Sequence, residues 1–138
     1  MFLFFRQPKK LTRGQNLWYT VFMDQKFRPV LSVRLFCGED KCFGPGVAEL
    51  LRRVQQERSL RAAAISMGMA YSKAWTVIKN SEAALGFKLL VSTTGGKHGG
   101  GATLSPEAER LLAAYEEYRS RLRQYAQEQF PLCFPDLV

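Results

Sequence analysis

The sequence predicts a mainly α domain with one small β hairpin, followed by a long helix. Three stretches predict it. Residues 59–86 read as two helices joined at a glycine, residues 87–104 as two short strands around a glycine-rich loop, and residues 105–130 as one continuous helix. The first two stretches belong to a unit over residues 29–104; residues 1–28 form an arm before it, and residues 131–138 a tail after the helix.

The arm, MFLFFRQPKKLTRGQNLWYTVFMDQKFR, mixes aromatic and basic residues without a clear period. Three readings stand: a weakly ordered arm, a short helix over residues 17–23 that packs on a partner, or upstream sequence with Met23 as the true start. The weakly ordered arm is the expectation. PVLSVRLF, residues 29–36, alternates Leu31, Val33 and Leu35 with Val30, Ser32, Arg34 and Phe36, which predicts a strand with one apolar face. GEDK makes a turn, and Cys42-Phe43 begins a short return. Pro45 suits the first position of a helix. That helix carries Val47, Leu50, Leu51 and Val54 on one stripe, with Glu49, Arg52, Arg53 and Gln56 outside.

Ser59 can cap the next helix with its hydroxyl. Leu60, Ala63, Ala64 and Met67 share a face, and the small residues let a neighbouring helix approach closely. Gly68 is the natural stop, because it takes a left-handed conformation at little cost. The chain restarts within about three residues as a helix ended by Gly86. Ala74, Trp75, Ile78, Ser81, Glu82 and Leu85 lie towards one side of it. Ser72, Lys73, Thr76, Lys79 and Asn80 lie mostly on the other.

Two amphipathic helices joined at a glycine also describe any αα-hairpin. The segment after Gly86 decides between the readings. Phe87, Leu89 and Val91 alternate with Lys88, Leu90 and Ser92, TGGKHGGGA makes a loop, and Thr103-Leu104 begins a return strand. A hairpin placed directly after such a helix pair is the wing of a winged helix-turn-helix, whose second helix enters the DNA major groove. The loop is not a Walker A loop. Lys97 is followed by His98 rather than Ser or Thr, and a strand comes next instead of a helix. At a wing tip, glycine lets backbone N–H groups approach phosphates, while Lys97 adds charge and His98 a donor. As a solvated turn residue His98 fits equally well.

Ser105-Pro106-Glu107 opens the last helix with a capping hydroxyl, a proline at the first position and acid in the first turn. It is expected to end near Phe130, before Pro131. Ala108, Leu111, Tyr115, Tyr118, Leu122 and Tyr125 keep a 3-4 spacing, the seam of a coiled coil. The first turns are expected to pack on their own domain. Beyond Tyr118 the helix outruns a domain of this size, and a second copy of the same helix is the economical partner.

Composition fits this picture and excludes others. The chain of 138 residues has 20 Lys and Arg against 12 Asp and Glu, a net charge of +8, which suits a polyanionic partner. Six of those basic residues lie in residues 1–28 against one acid, so much of the excess lies outside the domain. No apolar run approaches the roughly 20 residues of a membrane helix. The start is a poor signal peptide, its basic residues coming after a short apolar run, so the cytoplasm is the expected compartment. The three cysteines, Cys37, Cys42 and Cys133, are expected as free thiols. With His98 as the sole histidine, neither a zinc site nor a catalytic Cys–His group is expected. The sequence points to no enzyme activity and no cofactor.

Taken together, these residues resemble the N-terminal DNA-binding domain of ModE-type molybdate-responsive regulators, close to the LysR-type winged helix. GPGVAELLRRV, SLRAAAISMGMAYSKAWTVIKNSE and LGFKLLVSTTGGKHGGGATLSPEAERLL carry the likeness, which spans roughly residues 30–125. It implies a dimeric regulator on a near-palindromic operator. Ser72, Lys73, Thr76, Lys79 and Asn80 would face double-stranded DNA in the major groove, and Gly96, Lys97, His98 and Gly99 would contact its backbone or minor groove. Leu111, Tyr115, Tyr118, Leu122 and Tyr125 would form the homodimer interface. Tyr71 and Trp75 are expected as core residues that set the helix angle. The family often has Ser before the residue equivalent to Tyr71; Ala70 stands here, so either Ser72 takes over the cap or the first turn frays. ModE-type proteins continue into molybdate-binding domains and this chain stops at Val138, so molybdate binding by it is not expected. The other function the residues allow is a protein-interaction module that dimerises with other regulators and has lost specific DNA reading.

Overall fold

The computed structural model describes residues 27–94 and 100–137. The arm therefore lies almost wholly outside the described residues, as do Gly96, Lys97, His98 and Gly99. Residues 30–125 form one compact unit; the rest, 27–29 and 126–137, falls in a second.

The compact unit begins with a hairpin of β1 (Leu35–Cys37) and β2 (Asp40–Phe43), paired antiparallel around Gly38, whose φ is +64°. The expected strand over 29–36 is thus mostly absent. β2 is four residues long and offers β1 no ladder further upstream, so residues 29–34 stay irregular. The turn carries β2 into the interior, where Phe43 is fully buried.

Three helices then build the core. Helix α1 (Pro45–Glu57) has proline in its first turn and buries Val47, Ala48, Leu50, Leu51 and Val54 along one stripe. It ends at Arg58, which takes the left-handed conformation at φ +57°. Ser59 starts α2 (Leu60–Ser66), its hydroxyl accepting from the Ala62 amide at 3.2 Å. Ala63 and Ala64 are fully buried, which lets the helices approach closely. Gly68 turns the chain at φ +65° into α3 (Tyr71–Leu85), which buries Ala74, Ile78, Ser81 and Glu82. Gly86 closes α3 in the left-handed region at φ +80°.

The second hairpin pairs β3 (Leu90–Thr93) with β4 (Gly101–Leu104) in the register Leu90↔Leu104, Val91↔Thr103, Ser92↔Ala102 and Thr93↔Gly101. Its return strand rests on the α1–α2 corner, where the Ala102 amide donates to the Arg58 carbonyl at 3.0 Å. That contact demands glycine next door. A Cβ at Gly101 would stand 2.7 Å from the Arg58 carbonyl oxygen and 2.7 Å from Thr93 Oγ1.

Helix α4 (Pro106–Cys133) is capped as expected, the Ala108 amide donating to Ser105 Oγ at 3.1 Å. It continues through Pro131 rather than ending before it. A proline inside a helix lacks the amide that would bond four residues back, but Pro131 stands only two residues before the helix ends at Cys133, and a single 3₁₀ turn (Pro135–Leu137) comes next. The expected seam divides along its length. Ala108 and Tyr115 are buried in the compact unit, and Leu111 is half-buried against its core. Leu122 is half-buried, whereas Tyr118 and Tyr125 are exposed. Tyr115 therefore belongs to the domain's own core: it is 2% exposed, its ring meets Phe43 edge-on at 5.0 Å, and its hydroxyl is bonded to the backbone. Arg52 links α1 to α4 through Glu116 at 2.6 Å.

Candidate nucleic-acid interface

The outward face of α3 is polar because its large apolar side chains pack against the core. Ser72, Lys73, Thr76, Lys79 and Asn80 are all exposed, and the first, third and fifth of them recur at four-residue steps along one side. Thr76 Oγ1 donates to the Ser72 carbonyl at 3.0 Å, which fixes the hydroxyl and leaves its oxygen free to accept. Lys73 has no ion-pair partner among the described residues. Neither the hydroxyl of Ser72 nor any other side chain caps the helix start at Ala70.

Lys79 differs from its neighbours on that face. Its ammonium lies 4.7 Å over the Trp75 ring and 3.1 Å from Glu82 Oε2. The hydrogen bond to Glu82 raises its pKa. It is held in place, and is not a free cation.

Tyr71 and Trp75 are only partly core residues. Both are half-buried and pack on the core from one side. Their rings meet edge-on at 6.4 Å, and the Arg61 guanidinium lies 4.5 Å over Tyr71. Their other sides line a cleft of about 570 Å³ between α2, α3 and the second hairpin, together with Arg61, Lys79, Glu82 and Lys88. Among the described residues three cations thus border one groove.

Glu82 is the side chain that sequence reasoning misses. Its period places it on the inner face of α3 but assigns it no partner. It is 7% exposed. Its Oε1 accepts from the Leu89 amide at 2.9 Å, and its Oε2 from the ammonium groups of Lys79 at 3.1 Å and Lys88 at 3.3 Å. Burial works against its charge, but the Leu89 amide and then the two lysines outweigh burial and hold the carboxyl below its usual range. The signal available in the sequence is a carboxylate on an apolar helix face, with Lys88-Leu89 a few residues beyond the helix end. Arg61 and Lys88 escape such reasoning for a different reason, since neither lies on α3. Cys37, Cys42 and Cys133 are free thiols. Burial, and then the neighbouring Cys37 thiol, push the Cys42 thiol up.

Two helices crossing at a glycine turn, a third helix beneath them, and a β hairpin beside the polar face of the second make this a winged helix-turn-helix. Residues 47–109 match the family described as bacterial regulatory helix-turn-helix protein, lysR family. The chain is similar to the molybdenum transport protein ModE of Herbaspirillum seropedicae, 34% identical over 58% of this chain and 30% of that protein. It is similar to the molybdenum-pterin-binding protein MopB of Rhodobacter capsulatus, 38% identical over 48% of this chain and 24% of the relative. With the transcriptional regulator ModE of Haemophilus influenzae it shares 38% identity over 52% of this chain and 28% of that one. The matches thus span at most 30% of the length of these relatives. The matched segment is similar to the helix-turn-helix of LysR-type regulators and to the matching parts of these ModE-type relatives. Among the described residues no helix is long and apolar enough to cross a membrane.

Proposed function

We propose that the chain is a cytoplasmic DNA-binding transcription regulator of the ModE type, a binding protein rather than an enzyme, that sits on a near-palindromic operator as a two-fold dimer. One observation carries this reading: the exposed polar face of α3, with Ser72, Lys73, Thr76 and Asn80, stands beside a groove bordered by Arg61, Lys79 and Lys88. A helix of this radius fits the major groove, where Asn80 pairs with adenine edges and Lys73 with guanine or phosphate. The groove beside it presents charge to the backbone, which fixes register without reading sequence. Gly96, Lys97, His98 and Gly99, which lie between β3 and β4 in the sequence, are assigned to the DNA backbone or minor groove.

Dimerisation is assigned to the outer part of α4. Tyr118 and Tyr125 are exposed at 52% and 63%, with the half-buried Leu122 between them. Leu111 joins at the inner end. So short a seam is marginal alone, and it acts together with contacts from the winged unit or the N-terminal arm. The dimer sets two α3 helices about one DNA turn, or a multiple of it, apart. Molybdate sensing lies outside this reading. The test is enrichment of duplexes from a randomised library by the whole chain. A two-fold symmetric consensus is the expected result, and recovery of unenriched sequence at every round contradicts the reading.

A further inference from the structure

The arrangement around Glu82 is odd for a DNA-binding face. A carboxylate is a liability next to a polyanion, yet this one is buried at the edge of the groove and bonded to Lys79 and Lys88, two of the cations that border it. The lysines are themselves half-exposed to largely exposed, at 51% and 70% of their side chains, so the pairing contributes little to stability as a surface salt bridge. Its geometric effect is larger. Both ammonium groups converge on one oxygen, while the other oxygen receives the first amide of the hairpin's base. From there the path continues: Ser105 Oγ donates to the Lys88 carbonyl at 2.6 Å, and the Ser105 amide donates to the Leu89 carbonyl at 2.9 Å.

Resting on the DNA-binding reading above, we propose that Glu82 is a specificity-determining positioning residue. It fixes the hairpin to the recognition helix, and it cancels one of the two lysine charges at their junction so that affinity depends on fit rather than on charge. Phosphate contacts carry no sequence information, and every extra free cation strengthens specific and non-specific binding alike. Glu82 holds that sequence-blind contribution down while keeping Lys79 and Lys88 in register with the groove. It touches no DNA itself and acts through the two lysines and the Leu89 amide.

The test is Glu82→Gln, which keeps an acceptor for the Leu89 amide and removes the charge. The probes are a scrambled-sequence duplex and a duplex that the wild-type chain enriches from a randomised library, both titrated against salt by fluorescence anisotropy. For the scrambled duplex, E82Q is expected to bind about five- to tenfold tighter at 0.1 M salt, with a log–log salt slope steeper by about one phosphate contact. On the enriched duplex the same added charge is offset by loss of the register in which Glu82 holds Lys79 and Lys88, so affinity there is expected to stay roughly unchanged and the ratio of the two falls about five- to tenfold. The double variant E82Q K88M restores the wild-type slope. A glutamate with only a structural role would lower both affinities and leave the slope alone, and that result, or an unchanged ratio, overturns the proposal. Circular dichroism establishes whether E82Q folds. If it does not, Lys88→Met takes its place: the slope is expected to fall by about one contact, and an unchanged slope overturns the proposal. A library from which the wild-type chain enriches nothing overturns the DNA-binding reading itself, and this proposal with it.

Discussion

The Tyr115 hydroxyl donates to the carbonyl oxygen of Val33 at 2.8 Å, joining the segment ahead of β1 to the middle of α4. The two residues are 82 apart in sequence, so the bond closes the unit end on end. Burial pushes the phenol pKa up, which keeps the hydroxyl a neutral donor. Tyr115→Phe should cost about 1 kcal/mol, the net value of one such hydrogen bond. Tyr115→Ala also loses the edge-on contact with Phe43 and should cost about 3–5 kcal/mol. Urea denaturation of the two variants separates the bond from the ring, and equal losses would show that the hydroxyl adds nothing.

Gly101 and Arg58 make a pair of opposite predictions. At Gly101 an added Cβ meets backbone, which cannot swing aside. Gly101→Ala should therefore cost at least about 1–3 kcal/mol, as overpacking does. Arg58 holds a left-handed conformation that glycine takes more easily. Arg58→Gly should therefore be stabilising by about 0.5–1 kcal/mol, since its side chain is exposed. Thermal melts of both variants decide, and an Arg58→Gly variant that melts lower would mean that the side chain matters.

Glu82 predicts a pH dependence. Its carboxyl is held below its usual range in the fold. A depressed folded pKa contributes stability above the unfolded value, near 4.3, and that contribution is lost as pH falls through the folded value. The wild type should lose stability on acidification below about pH 5, and Glu82→Gln should lose less over the same range. Denaturation midpoints from neutral to acidic pH provide the comparison. Parallel curves for the two proteins would contradict the assignment.

Leu122→Lys tests the proposed dimer. The substitution places a charge between Tyr118 and Tyr125 on α4, away from the α3 face. Sedimentation should give a monomer of unchanged helix content, with operator affinity down sharply. A variant that still sediments as a dimer would place the interface elsewhere.

How far the sequence can be read depends on whether a residue's partner is close in the chain. The helix pair, the hairpin after it and the caps at Ser59 and Ser105 are legible, because their signals are local: period, a hydroxyl three residues ahead, a glycine at each stop. The strand over 29–36 misleads because alternation says nothing about the length of the partner strand. Tyr115 fits a seam by spacing, yet its place is decided by Phe43 and Val33, which no spacing rule connects to it. Tyr71 and Trp75 read as core by residue type, whereas the structure uses both sides of each ring. Glu82 is legible as a position on the inner face, but its role depends on Lys88 and Leu89 folding back across Gly86.

The central claim is that the polar face of α3 meets DNA, and Lys73 tests it most directly. Its side chain is exposed and has no ion pair among the described residues, so Lys73→Ala leaves the fold intact. The measurement is the salt dependence of affinity for the enriched duplex, wild type against Lys73→Ala. Weaker binding is expected, with a slope lower by about one unit where Lys73 meets phosphate, or with a loss of about 1–3 kcal/mol confined to one base position where it meets guanine. Unchanged affinity and unchanged slope would take the face of α3 out of the interface.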